Sequence, residues 1–184
     1  MKKYFMLLLV VLLVLSAGML AGCDEPAETA DTAPITTDTP EQDAQNDGST
    51  FENNVLTTPR FVIDITEYRV IQPGDEGNEF GDDPVIAFWF SVTNLTDEEL
   101  NAGTAWIMTM DAFQDNDPNM ENPLEVGLLP DQAFLETQMA NIREGGTVEH
   151  AVAYILTDEV TPVELVASED LGITTVGSQI FNIE

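Results

Sequence analysis

From Pro59 onward, apolar residues recur at alternate positions in short runs, and clusters rich in Gly and Pro separate the runs. In "RFVIDITEYRVI", Phe61, Ile63 and Ile65 stand opposite Val62, Asp64 and Thr66, the period of a half-buried strand. "VIAFWFSVTN", starting at Val85, is apolar on both faces until Ser91, which predicts a central strand. "TAWIMTMDAFQD" reads as another strand, with Ala105, Ile107 and Phe113 facing away from Trp106, Met108 and Met110. "VEHAVAYIL" puts Val148, His150, Val152, Tyr154 and Leu156 on one face and Ala151, Ala153 and Ile155 on the other. "PVELVAS" and the terminal "GITTVGSQIFNIE" complete the set. Helical periodicity is weak: "DQAFLETQM", Asp131 to Met139, suits a short helix or a strand equally. About seven short strands with turn signals between them predict an all-β fold, a two-sheet antiparallel β-sandwich over residues 59–184.

The first 58 residues follow different rules. Residues 1–22 are "MKKYFMLLLVVLLVLSAGMLAG": two lysines, an apolar stretch from Phe5 to about Leu15, then small residues. That stretch falls short of the roughly 20 apolar residues a membrane span needs, and the order is that of an export signal peptide. Leu20, Ala21, Gly22 and Cys23 then resemble the lipobox of bacterial lipoproteins. That resemblance implies a diacylglycerol on the Cys23 thiol and cleavage just before it. Two acyl chains would hold the chain at the membrane, at about 0.8 kcal/mol per buried methylene. Residues 23–58 are rich in Ala, Thr, Asp, Glu and Pro, and between Asp24 and Asn53 only Ile35 and Phe51 supply apolar bulk. Such a segment cannot bury enough surface to offset ordering entropy, so a disordered acidic linker is expected there.

Charge narrows the partners. The formal net charge is -29. Lys2 and Lys3 precede the apolar stretch and every acid follows Cys23, so a chain cut there keeps 34 acids and three arginines, 34 − 3, or -31. This repels phosphate backbones and anionic headgroups, which excludes nucleic acid as a partner. Solubility through self-repulsion accounts for the charge, as does adaptation to salty or cation-rich surroundings.

Three further stretches carry a family resemblance: "PVIAFWFSVTNLTDEE", "AFQDN" from Ala112 to Asn116, and "REGGTVEHAVAYILTDEVTPVELVAS". In these the chain resembles, from about Arg60 to Ser168, the Gram-positive lipoprotein domains grouped as domain of unknown function 5067. The resemblance implies an immunoglobulin-like sandwich, lipid-tethered and exposed at the cell surface, with no assigned chemistry. This chain has Glu144-Gly145-Gly146 where that family usually shows a Pro-Gly turn, and far less lysine.

Most catalytic chemistries lack their residues. With Cys23 lipidated there is no thiol nucleophile or thiolate metal ligand. A serine triad needs a histidine base, and His150 is the one histidine. It lies on the apolar face of its strand, where a neutral imidazole capped by a hydrogen bond, or simple exposure at the rim, is expected. No Gly-x-Ser-x-Gly and no dinucleotide glycine pattern occur. Carboxylates remain. "DNDPNME" places Asp115, Asp117, Asn119 and Glu121 at alternate positions, like the start of a calcium loop, but Met120 replaces the required Gly and Val126 stands where the bidentate Glu belongs. Asp75, Glu76, Glu79, Asp82 and Asp83 form a second acidic cluster. Asn94-Leu95-Thr96 matches a glycosylation acceptor and reads as a turn.

The expectation is a non-enzymatic, membrane-anchored extracytoplasmic lipoprotein. It would need no cofactor, be held at the cell membrane through Cys23, and carry a binding or spacer module for an unknown protein or envelope polymer. A calcium-dependent envelope or adhesion protein is the alternative, and a carboxylate-based hydrolase the third reading.

Overall fold

The computed structural model describes residues 48–169 and 171–183. Eight strands and one α-helix follow in the order β1 (Thr50–Glu52), β2 (Val55–Thr57), β3 (Phe61–Ile71), β4 (Val85–Asn94), α1 (Ala102–Thr109), β5 (Met110–Gln114), β6 (Thr147–Ile155), β7 (Val163–Glu169) and β8 (Thr174–Phe181). All pairings are antiparallel and make two sheets, ordered β1-β2-β3-β4-β6 and β5-β7-β8. The fold is an all-β sandwich. Without the leading hairpin, the two sheets connect as strands A-B-E and C-F-G of an immunoglobulin domain do. The place of strand D beside β6 is reduced to one bridge, Val126 to Tyr154.

The core lies between the sheets. Along β4, Ile86, Phe88, Phe90 and Val92 face inward and are fully buried. Its other face is apolar for a reason too: Val85 and Ala87 join Ile71 and Ala153 in a smaller outer cluster, packed by Trp89 and Ile155. In β3 a bulge between Ile65 and Glu67 changes the parity, so Ile65 faces the core while Ile71 joins the outer cluster. In β6 the two predicted faces hold, with Val148, Val152, Tyr154 and Leu156 on the main core and Ala153 and Ile155 on the outer one.

Two expectations are corrected, and one left open is resolved. The first concerns the linker over 23–58, whose last residues are folded. Phe51 and Leu56 face each other in register and are buried, in a hairpin turned by Asn53 and Asn54, both at positive φ (51° and 67°). The hairpin also meets β8: the Asn54 N–H donates to Gln179 Oε1 at 3.0 Å. The stretch read as a signal peptide, Cys23 and the residues up to 47 lie outside the described residues. The second concerns "TAWIMTMDAFQD", whose first half, "TAWIMT", is helix, while Met110–Gln114 is strand. Asn101 caps the helix, its side chain accepting from the Thr104 N–H at 2.8 Å. The buried residues Ala102, Ala105, Trp106 and Thr109 then follow helical spacing. The open choice for "DQAFLETQM" falls to helix, a short 3-10 helix at Gln132–Phe134 followed by turns. Asp131 caps it by accepting from the Ala133 N–H at 2.9 Å.

Candidate functional site

An uncharged cleft of about 160 Å³ opens where α1, β6 and the Val126–Leu129 segment meet. Its floor is aromatic. Phe90 stacks on Trp106 with ring centroids 4.3 Å apart, and Phe90 and Phe134 both meet the His150 ring edge-on, at 5.7 and 6.0 Å. Its rim is aliphatic: Ile107, Val126 and Leu128 are all exposed. None of the lining residues is Asp, Glu, Lys or Arg, in a chain with 34 acids.

His150 sits in this floor and is 7% exposed. The hydrogen-bond cap expected from sequence is missing, since Nδ1 is buried with no partner. Burial lowers the imidazole pKa, because a charged ring would lose its hydration there. The other ring nitrogen, Nε2, faces Gly103; a Cβ added at Gly103 would lie 3.4 Å from it. Tyr154, further along the inward face of β6, ties the helix down. Its hydroxyl accepts from Trp106 Nε1 at 2.8 Å and donates to the Met110 carbonyl at 3.3 Å. Desolvation raises its pKa far above the usual phenol range.

The speculative metal ligands do not converge. Asp117 Oδ1 is spent within its own loop, accepting from the backbone N–H and the side-chain amide of Asn119 at 2.8 and 3.2 Å. Asp115, Asn119 and Glu121 are exposed. Among the described residues, no group of three or more His, Cys, Asp or Glu side chains could hold a metal ion. The acidic loop 72–84 is organised by Asn78 instead, whose amide donates to the Ile71 and Asp83 carbonyls at 3.3 and 2.9 Å. Gly77, at φ 94°, backs onto the Pro130 carbonyl with no room for a side chain.

The stretches singled out from sequence have structural jobs. Asn94 is buried and makes the expected turn: its amide nitrogen donates to the Glu98 and Ile142 carbonyls, at 3.0 and 2.9 Å, and its oxygen accepts from the Thr96 N–H at 3.0 Å. With both amide hydrogens engaged inside the protein, Asn94 presents no acceptor to a glycan. Within "AFQDN", Gln114 is fully buried and anchors the following β6–β7 corner. It donates to the Asp158 and Thr161 carbonyls at 3.1 and 2.8 Å, and accepts from the Thr157 N–H and hydroxyl at 2.7 and 2.8 Å. In the same corner the Asn116 amide, then the Thr161 and Val160 N–H groups, hold the Asp158 carboxyl well below the usual carboxylate range. The sequence reading missed Gln114 and the Trp106–Tyr154 pair; the family stretch "AFQDN" was the available signal for the first.

The family model described as Domain of unknown function (DUF5067) matches residues 35–169. The chain belongs to the DUF5067 family. That match takes in the Gln114 corner, the Asn94 turn and the cleft. It also begins before the hairpin, in agreement with a folded region that starts earlier than Pro59. A solved structure described as that of a "putative lipoprotein" from Staphylococcus aureus is similar to this DUF5067 chain, with a TM-score of 0.62 and 23% identity over 73% of this chain and 91% of that one. The likeness is one of fold. No curated protein matches the chain.

Proposed function

We propose that this DUF5067 chain is a lipid-anchored extracytoplasmic lipoprotein whose sandwich is a non-enzymatic binding module. The anchor is supported by the order of its first residues: two lysines, an apolar stretch, then Leu20-Ala21-Gly22 before the sole cysteine, Cys23. The description of the staphylococcal neighbour as a lipoprotein agrees with it.

The binding role is carried by the cleft, an uncharged, aromatic-floored concavity in a molecule of net charge -29. The chain's many acids favour solubility and keep neighbours apart. A concavity that excludes them while exposing Ile107, Val126 and Leu128 has the composition of a recognition site. The chemistry of its walls argues against catalysis: the one titratable lining group is His150, with no nucleophile or carboxylate beside it in the lining.

Intact-mass spectrometry of the protein extracted from membranes tests the anchor. A chain beginning at residue 23 with a diacylglycerol on Cys23 supports it, and Cys23→Ser should release the protein to the soluble fraction. An uncleaved chain with a free thiol overturns it.

A further inference from the structure

The cleft lies against a strand edge that is only partly paired. The backbone groups of β6 alternate in direction. Gly146 and Leu156, flanking the strand, bond to the two ends of β4, so even-numbered residues point toward β4. Odd-numbered residues point away, and the Glu125–Gly127 segment uses two of their groups: the Ile155 N–H donates to Glu125 and the Ala153 carbonyl accepts from Gly127, both at 2.8 Å. There the covering segment leaves the edge. Among the described residues, no hydrogen bond reaches the Ala153 N–H or the outward N–H and C=O groups of Ala151 and Glu149. Ala151 is 1% exposed and lines the cleft. A buried, unpaired peptide donor and acceptor are costly, and native folds leave few of them.

We infer that this edge and cleft bind an extended peptide segment of a partner protein. The segment would pair with Ala151 and Glu149 in continuation of Glu125–Gly127 and place one apolar side chain in the cleft. A peptide strand supplies, at the right repeat, both the acceptor and the donor that Ala151 lacks. The cleft volume suits one bulky aliphatic or aromatic side chain rather than a large ligand. His150 adds a neutral imidazole at the base, and Ile107, 68% exposed on the helix rim, gains a partner. Charge selects the flanks. The field of a chain with net charge -29 repels an acidic peptide and favours one with lysines or arginines beside its apolar residue. This inference rests on the binding role proposed above and not on the anchor.

The test uses the full chain in detergent and a blocked heptapeptide, Lys-Val-Lys-Leu-Lys-Val-Lys, with amide exchange read residue by residue by NMR. Saturating peptide should slow exchange at Ala151 by about tenfold or more, the change expected when an amide without a hydrogen bond becomes paired. Two N-methylated versions, blocking alternate sets of peptide N–H groups, separate pairing from simple hydrophobic contact: one set should abolish binding and the other leave it. Ile107→Glu should weaken binding about tenfold, equivalent to about 1.4 kcal/mol, with unfolding unchanged because the side chain is exposed. No slowing at Ala151, equal binding of both methylated versions, or full binding by Ile107→Glu would each overturn the inference. A chain lipidated at Cys23 that shows any of these loses the peptide site and keeps its anchor. Peptide contacts confined to the acidic loop 72–84, and lost in salt, would also count against the site.

Discussion

Trp106 donates its indole N–H to the hydroxyl of Tyr154 across 2.8 Å, and both side chains are buried. Through that bond a helix on the crossover between the sheets is fixed to the strand that floors the cleft. Tyr154→Phe keeps the ring and removes the acceptor, which leaves the Trp106 N–H and the Met110 carbonyl without this partner. The expected loss is about 1–3 kcal/mol in denaturant unfolding. A loss near zero would show that water replaces the hydroxyl, and the helix would then need another explanation for its position.

Gln114 is a second buried polar centre, and it is saturated. Replacement by Leu preserves approximate volume but strands the Asp158 and Thr161 carbonyls and the Thr157 N–H that it satisfies. Several buried groups lose partners at once, so the expected cost is about 2–5 kcal/mol, among the larger effects of a single substitution. Unfolding followed by intrinsic fluorescence measures it. Gln114→Glu should also destabilise, because a carboxylate cannot donate to either carbonyl.

Two groups withdraw stability in acid. Asp158 has a depressed folded-state pKa, so its contribution is present above the unfolded carboxylate value, about 3.9, and is lost as pH falls through the lower folded value. His150 is also depressed, which places its effect higher: stability begins to fall below the unfolded imidazole value, about 6.5, because the unfolded chain takes up the proton first. Compared with variants lacking these groups, the melting temperature should therefore fall in two stages as pH drops, on top of whatever the other acids gain from reduced repulsion. His150→Phe should flatten the first stage and Asp158→Asn the second; the same profile for both variants and the parent would remove these two groups as its cause.

The folded region begins before Pro59. A fragment starting at residue 59 lacks the hairpin that covers one edge of β3 and brings Phe51 and Leu56 into the core. It should be less stable than a fragment starting at residue 48 by several kcal/mol, since burying each such side chain contributes about 1.5–3 kcal/mol. Equal chemical-denaturation midpoints for the two fragments would show that the hairpin is dispensable.

What was legible in the sequence follows from period and burial. The strands β3, β4 and β6 announced themselves because each has one face on a continuous core, and β4 read as central because both its faces are covered. The hairpin was hidden by composition: its strands have three residues each and stand at the end of an acidic tract, although Asn53-Asn54 is a turn signal. The helix was hidden by ambiguity. Ala102, Ala105, Trp106 and Thr109 fit a helical stripe, while the same window also alternates. The Asn101 cap was the feature that could have decided between them. The cleft was not legible at all, because Ile107, Val126 and His150 are far apart in the chain and meet only through the crossover of α1 and the remnant of strand D.

Charge yields the last prediction. Among the described residues one ion pair forms, Arg60 with Glu98 at 2.8 Å, and both partners are exposed, so it contributes little. Arg69 lies 4.6 Å over the Trp89 ring instead. The surplus acids therefore repel one another without local compensation. Sodium chloride shortens the screening length from about 30 Å at 0.01 M to about 3 Å at 1 M, so the melting temperature should rise steadily over that range. Glu76→Lys, in the exposed acidic loop, should raise the melting temperature at low salt and leave it unchanged at high salt, because it removes repulsion that salt otherwise screens. A melting temperature that stays level from 0.01 to 1 M would mean that self-repulsion does not limit stability. The acidity would then have to be explained by what the surface meets.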